Sequence, residues 1–523
     1  MEKIAFHNLG CKVNSYEMDY VQQIMKEKGY KVVPFEEKAD IYVINTCTVT
    51  NIADRKSRQM IHRARALNPQ ALVVAMGCYV QVGREEALED EGIDLAVGNN
   101  RKKDIVRIIE EYLKVKTETR ADKTLGGSTI IDIAHTREYE EMQLKETAEH
   151  TRAYVKIQDG CNQFCSYCII PYARGRVRSR RREDILREVR GLVGAGYREV
   201  VLTGIHISSY GMDWEEAQNP GDMDPEEIQN TGNMDPGEIQ NTGDMAPGEI
   251  QNTGDMDPGE IQSTGNMDAG EFQNAGHPDG EEIQRTGGDR RQGQCRLAQL
   301  VEELQSLEGL ERIRLGSLEP RVVTVDFVSR LAACDKLCPH FHLSLQSGCD
   351  ATLKRMNRRY TTGEYLYSVQ LLRDAFDRPA ITTDVIVGFP GETEEDFEIC
   401  RRFVEQVEFY EMHIFKYSRR RGTVADRMPG QLTDAVKSRR SAVLQQLEKI
   451  QSRAFRGKYI GRDVEVLFEE ARETEAGLCQ VGYTRDYIRV ALPGETPLQG
   501  SMRRVRITGF LNDEVLLADV LQL

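Results

Sequence analysis

The sequence has no apolar run approaching the roughly 18 residues that a membrane-spanning helix needs. Its start, MEKIAFHNLGCKVNSYE, lacks the basic-then-apolar pattern of a secretory signal. No membrane association is expected, and the chain reads as cytoplasmic. Thiols stay reduced in that compartment, so twelve cysteines point to metal binding or catalysis before disulfides. An overall cationic excess is also missing: the formal net charge is −15. That figure is local in origin, because 215–294 holds 19 acidic residues against three arginines. The remainder holds 66 basic and 65 acidic residues.

Basic charge is instead concentrated. Between Arg174 and Arg190 eight arginines stand against Glu183, Asp184 and Glu188. Such a strip beside a cysteine cluster suits a phosphate-bearing partner, the plainer alternative being a solvated helix face.

The 523 residues suffice for several domains. Residues 1–115 alternate strand-like and helix-like segments, which predicts a mostly parallel α/β sheet. Three apolar strands there end at Cys11, Cys47 and Cys78. Ligands of open parallel sheets sit beyond the strands' carboxyl ends, so these thiols could converge; the alternative is three buried structural cysteines. Residues 116–150 read as a polar linker. From 151 to 455 come six strand candidates: YVKIQDG, EVVLTG, RIRLGSLEP, HFHLSLQSG, ITTDVIVGFPG and EMHIFKYS. Six βα units suit a partial, open (βα)6 barrel. After the second strand, within 215–294, an acidic eleven-residue repeat such as GDMDPGEIQST runs for six copies. It is too polar and Gly/Pro-rich to offset its ordering entropy, and is expected to be disordered. Residues 456–523 alternate as short strands, predicting a small β-barrel. The fold class is therefore multidomain α/β.

Within KIQDGCNQFCSYCIIPYARGRVRSRR, Cys161, Cys165 and Cys168 form CxxxCxxC with no fourth Cys or His close behind. Structural zinc wants four closed ligands. Three thiolates can instead hold three irons of a 4Fe–4S cubane and leave the fourth open to chelate a small molecule. The motif resembles that of radical S-adenosylmethionine enzymes. LGCKVNSYE, INTCTVTNIADRKSRQ and GCYVQ resemble the N-terminal domain of the methylthiotransferases within that superfamily. LTGIHISSYG, HLSLQSGCDATLKRMNRRYT and DVIVGFPGETEEDF resemble their radical domain, and the C-terminal barrel resembles the TRAM RNA-binding module. The likeness covers nearly everything but the repeat. Its wording is most similar to the branch acting on threonylcarbamoyladenosine of tRNA, at position 37 in the anticodon loop.

The resemblance implies two 4Fe–4S clusters, one on the catalytic Cys161, Cys165 and Cys168 and an auxiliary one on Cys11, Cys47 and Cys78. It implies S-adenosylmethionine in two roles, radical source and methyl donor, for an adenine carbon 2 whose C–H no ordinary base can deprotonate. An electron donor such as flavodoxin or ferredoxin, and a sulfur donor, would be partners. Thr203 and Gly204 end the second strand, near where the cofactor's amino group should sit. Ser344 and Gln346 share one strand face. Asp384, Gly388, Pro390 and Gly391 are placed at a strand end where a Gly-rich turn lets backbone approach a ligand; Thr393 with Asp396 should cap the next helix. The remaining cysteines, Cys349 included, read as structural. The C-terminal module is mildly acidic, so RNA contact there would need a patch such as Arg503, Arg504 and Arg506, or stacking on Tyr483 and Tyr487. Competing readings are methylthiolation of isopentenyladenosine in tRNA, methylthiolation of an aspartate in a ribosomal protein, and a non-catalytic iron–sulfur redox sensor that binds RNA.

Overall fold

A computed structural model describes residues 2–116, 122–125, 127–146, 151–216 and 291–521. All six repeat copies, and with them the expectation of disorder, therefore lie outside the described residues. The first domain is a parallel sheet of β1 (Lys3–Asn8), β2 (Lys31–Val33), β3 (Ile41–Thr46), β4 (Leu72–Gly77) and β5 (Leu95–Val97), in the order β2-β1-β3-β4-β5. IYVINT and LVVAMG are buried at every position, as strands covered on both faces must be. One apolar cluster fills each face. Strand order reverses between β1 and β3, the topological switch where such sheets open a crevice.

The central domain has β6 (Ala153–Asp159), β7 (Arg178–Ser179), β8 (Glu199–Gly204) and β9 (Arg312–Leu315) in one sheet, ordered β7-β6-β8-β9. β10 (His340–His342), β11 (Ala380–Val387) and β12 (Glu411–Lys416) form the next. Parallel bridges Ile313–Leu337 and Leu318–Leu343 join the two. Six parallel strands thus curve into the expected partial barrel, and no pairing between described residues closes β12 onto β6. Phe341, Leu343 and Leu345 go to the helix-covered core, leaving His340, His342, Ser344 and Gln346 on the inner face. Thr393 and Asp396 do form a capping box, opening the helix Glu394–Val407.

β13 (Asp463–Thr474), β14 (Gly477–Thr484), β15 (Arg489–Pro493), β16 (Met502–Phe510) and β17 (Leu516–Val520) make a closed barrel. Its β14–β15 loop closes the floor of the partial barrel. Arg312 donates to the Tyr483 carbonyl at 3.0 Å and Arg314 to that of Arg485 at 2.9 Å. Tyr483 and Tyr487 stack on each other at 4.8 Å under the Arg152 guanidinium. They are a floor plug, not a platform free for RNA bases. Arg503, Arg504 and Arg506 are exposed, although Arg506 is held by Asp463 at 2.7 Å.

Two expectations need correction. The segment read as a polar linker buries Ile130, Ile133, Met142 and Leu144, and Thr129 hydrogen-bonds back to Ala96 at the edge strand β5. It is a packed strap. The arginine strip is not one basic surface either. Arg174, Arg178 and Arg180 are 0% exposed. Arg180 pairs with Glu188 and Glu141. Arg174 reaches Glu17 of the first domain at 2.8 Å and Asp159 at 3.2 Å. Lys156 joins the same two carboxylates at 2.8 and 2.7 Å, and Lys102 pairs with Glu17. Of the strip, Arg181, Arg187 and Arg190 remain exposed.

Burial alone would raise the Glu17 carboxyl, but Arg174, Lys102 and Lys156 hold it well below its ordinary range. Glu17→Gln leaves buried cations short of a partner and should lower stability by about 3–5 kcal/mol at neutral pH. A carboxylate with a depressed folded-state pKa stabilises fully above its unfolded value of about 4.3, and that contribution fades as pH falls. Denaturation of both proteins at neutral and acid pH should show the gap narrowing with acid.

Candidate functional site

The CxxxCxxC loop leaves β6 and is fixed from two sides. Cys161 N–H donates to the Gly175 carbonyl at 3.0 Å, and Asn162 accepts from the Val177 N–H at 3.2 Å. On the other side Ser166 N–H donates to the Met356 carbonyl at 3.0 Å and Asn357 to that of Phe164 at 3.0 Å. Gly160 is required as glycine: its φ is +72°, and a Cβ would lie 1.8 Å from the Arg176 carbonyl oxygen. Gln163 N–H points at Cys161 Sγ at 3.4 Å and Arg358 at Cys165 Sγ at 3.3 Å. Arg358 also lies 3.8 Å from Glu319, which faces His206 at 3.3 Å. Burial works to raise Glu319, but the hydrogen bond and charge of His206, with Arg358, bring it down to about 2.

The other triad forms at the sheet's carboxyl edge. Cys11 caps the helix Lys12–Glu27 after β1, Cys47 follows β3, and Cys78 opens the short helix Cys78–Val82 after β4. Gly10, at φ +118°, would set a Cβ 3.3 Å from Cys47 Sγ. Burial pushes the Cys47 thiol up to about 11, and the charges of Cys78 and Cys11 add to the rise. Burial and then Cys165 push Cys168 up to about 12, and the same two causes raise Cys161 well above the ordinary thiol range. Thiolates this close repel one another unless a cation binds them.

The triads are tied together. Asn99 donates to Cys78 Sγ at 3.5 Å and to the Ala173 carbonyl at 2.7 Å, in the helix that follows Cys168. Arg174, next in that helix, donates to Asn14 at 2.6 Å, one turn beyond Cys11. The charges acting on Arg174, against the burial that opposes them, are led by Cys78. Among the described residues its buried Nε has no partner, a donor available to an anionic group at Cys78.

Other expected residues fare unevenly. Thr203 is buried and Gly204 ends β8, where a Cβ would meet the Gln158 carbonyl at 2.9 Å. Ser344 and Gln346 do face inward, and Gln346 is held at φ +67° by exchange of backbone hydrogen bonds with β11, strain of the kind that collects at functional sites. Asp384 is not at a strand end: it lies inside β11, 3.3 Å from His342. With His413 these two form a three-ligand group on the inner wall. Gly388 does have close company, but a Cβ there would strike Lys437 at 2.3 Å. The Gly388–Glu392 turn, with Pro390 and Gly391, is braced through Glu392, which accepts from the Gly388 N–H at 2.5 Å and from Arg440 at 2.6 Å. Cys349 is buried and donates to Asp396 at 3.4 Å. Sequence reasoning missed Arg358, Glu319 and His206 although all three fall inside quoted motifs; a thiolate-rich loop implies a cation nearby, which is the signal that could have found Arg358.

Comparison with known proteins identifies the family. Residues 3–98 match the family model described as Uncharacterized protein family UPF0004, and residues 155–228 and 273–404 that of the Radical SAM superfamily. The Bacillus subtilis threonylcarbamoyladenosine tRNA methylthiotransferase MtaB is 35% identical over 97% of this chain and 94% of its own length. The chain belongs to the radical S-adenosylmethionine methylthiotransferases. The MtaB of Aquifex aeolicus is 34% identical over 90% of this chain and 93% of its own length. The tRNA-2-methylthio-N(6)-dimethylallyladenosine synthase of Moorella thermoacetica is 31% identical over 95% of this chain and 94% of its own length. Among solved structures, the radical methyltransferase TsrM from Kitasatospora setae matches at TM-score 0.48 and 13% identity, over 79% of this chain and 73% of that chain.

The family's cofactors are 4Fe–4S clusters and S-adenosylmethionine, and the residues of this methylthiotransferase fit them. Each triad offers three thiols and, among the described residues, neither gathers its sulfurs within 4.8 Å as a single-ion site would. Each also has a donor aimed at a sulfur, the kind of contact that tunes cluster potential. Arg358→Leu removes a cation from Cys165. The reconstituted variant should keep its iron but show a lower reduction potential for that cluster, because the reduced state loses its nearest positive charge. Spectroelectrochemical titration against wild type measures it, and an unchanged potential would rule out this role for Arg358.

Proposed function

We propose that this enzyme methylthiolates carbon 2 of N6-threonylcarbamoyladenosine at position 37 of tRNA, in the cytoplasm. On this reading Cys161, Cys165 and Cys168 hold one 4Fe–4S cluster and Cys11, Cys47 and Cys78 an auxiliary one, with two S-adenosylmethionine molecules per turnover. The observation that carries it is the Asn99 link: one side chain bonds both Cys78 and the helix behind Cys168, so two cluster sites serve a single space. Two relatives named for threonylcarbamoyladenosine, matching along nearly the whole chain, support the branch. When bound, these cofactors supply a carbon radical able to take an unactivated hydrogen, the sulfur and the methyl group.

The chain's own residues do the positioning. Gln163 and Arg358 donate to the sulfurs of Cys161 and Cys165. Thr203, Gly204, Ser344, Gln346 and Asp384 line the inward wall for the sulfonium cofactor, and the turn through Gly388, Pro390 and Gly391 sets the end of β11. His206 and Glu319 lie 3.3 Å apart beside the loop. An electron donor such as flavodoxin or ferredoxin and a sulfur donor complete the system.

Anaerobic reconstitution should give about eight irons per chain, two cubanes of four. Replacing Cys165 with Ala should end both reductive cleavage of S-adenosylmethionine and product formation. A folded Cys47→Ala protein should still release 5′-deoxyadenosine yet make no methylthio product. Nucleoside mass spectrometry of tRNA from a deletion strain should show loss of methylthiolated threonylcarbamoyladenosine; loss of the isopentenyl product instead would move the enzyme to the other branch.

A further inference from the structure

We infer that Arg420, on the segment after β12, is a positioning residue that sets Cys47 of the first domain against the Cys161–Cys168 loop of the second. The inference deepens the two-cluster reading proposed above and rests on it.

The segment Ser418–Ala425 touches both cysteine loops. At one end the Ala425 N–H donates to the carbonyl of Ser166, which lies between Cys165 and Cys168, at 2.8 Å. Toward the other end Arg420, buried, reaches into the first domain. Its guanidinium donates to Thr48 Oγ1 at 2.6 Å, to Asn51 Oδ1 at 2.8 Å and to Asp54 Oδ2 at 2.6 Å. Thr48 directly follows Cys47. The two ends belong to one tight turn, because the Thr423 N–H and hydroxyl both donate to the Arg420 carbonyl, at 3.1 and 2.7 Å.

The first domain answers with contacts of its own. Asn51 Nδ2 donates to the Arg419 carbonyl at 2.9 Å, and the Asn51 N–H to Ser418 Oγ at 3.3 Å. The Thr48 hydroxyl donates to Asp54 Oδ1 at 2.7 Å, so Asp54 is bound at one oxygen by Thr48 and at the other by Arg420. Ser57 then grips the backbone of Cys47 itself, accepting from its N–H at 3.2 Å and donating to its carbonyl at 3.1 Å. A planar guanidinium with three fixed partners admits one placement of the chain it holds. Sliding that chain would strand buried donors and acceptors.

Each cysteine of the triad thus has a route to the second domain. Cys78 has Asn99, bonded to Ala173, and Cys11 has Asn14, bonded to Arg174. Cys47 has Thr48 and Arg420. This last route also bridges the open side of the barrel, where no pairing between described residues joins β12 to β6. Placement of this kind matters most for the transfer step, since a displacement of about 1 Å can cost about a hundredfold in rate. Cleavage of the sulfonium cofactor draws only on the Cys161–Cys168 site and is indifferent to where Cys47 stands.

The test uses the full-length, cluster-loaded protein with dithionite, S-adenosylmethionine and tRNA from a deletion strain. That tRNA contains the enzyme's own substrate whichever base it is. Two quantities are read: 5′-deoxyadenosine released per methylthio nucleoside formed, and the dipolar coupling between the two reduced clusters in pulsed EPR. Arg420→Gln and Thr48→Val, each with iron content equal to wild type, should cleave the cofactor at the wild-type rate but raise that ratio about tenfold. Their dipolar coupling should broaden. A role in stability alone would lower cleavage and product together, so a wild-type ratio or an unchanged coupling in both variants overturns the assignment. Should Arg420→Gln fail to load iron, Thr48→Val decides. Cys47→Ala is the control for the underlying reading: if it still makes product, or if wild type holds only about four irons, the auxiliary cluster falls and this inference with it.

Discussion

Two sets of three thiols can act on one carbon only if two separately folded sheets hold a fixed register, and buried charge sets that register. Arg174 ends the helix behind Cys168, yet its guanidinium is shared with Glu17 and Asn14 on the helix that begins at Cys11. Asp159, at the end of β6 just before the cysteine loop, closes the circuit through Arg174 and Lys156. Apolar packing would tolerate a small slide between domains, whereas buried ions with mutually satisfied partners do not, because each displaced ion faces the full desolvation cost. The group as built also holds more cations than carboxylates, with Lys102, Lys156, Arg174 and Arg178 around Glu17 and Asp159. That surplus is unfavourable alone and suits anionic thiolate-bound clusters at its edge.

The same logic divides the barrel by height. Its floor is a set of arginines satisfied by Glu199 and by carbonyls of the C-terminal barrel. The C-terminal module therefore completes the floor of the partial barrel, because removing it would leave Arg312 and Arg314 with unpaired donors. The rim is where backbone rather than charge does the shaping: Gly160, Gln346 and Gly388 all have positive φ there, each at the point where a strand hands over to a loop.

What the sequence revealed follows from what local pattern can encode. Cys11, Cys47 and Cys78 were legible because continuous apolar strands announce their own ends, and parallel sheets gather those ends at one edge. The CxxxCxxC loop was legible from spacing alone, and the capping box at Thr393 from two residues three apart. The arginine strip misled because a sequence displays charge without its partners: Glu17 lies far upstream, and nothing local marks Arg174, Arg178 and Arg180 as buried. Tyr483 and Tyr487 misled for a related reason. An exposed-looking aromatic–Arg–aromatic pattern fits stacking on bases and stacking under Arg152 equally well. Gly388 was rightly read as a place of close approach, but the approaching group is Lys437, from a helix the local sequence could not place. The strap through Ile130 and Met142 has no periodicity, so its packing was invisible until its neighbours were in place.

The long insertion shows how such a site survives a change in chain length. It enters after β8, where two unattached flanks would let the end of that strand move. Its two flanks are clamped to each other instead. Tyr210 packs edge-on against Trp214 at 5.4 Å, and Arg296, from the far side of the insertion, lies over the Trp214 ring at 5.2 Å. Arg296 also donates to the Gly211 carbonyl, while Gly211 N–H bonds Ser179 Oγ and Asp213 accepts from the Ser179 N–H. The clamp sets where β8 ends and the helix Arg291–Gln305 begins.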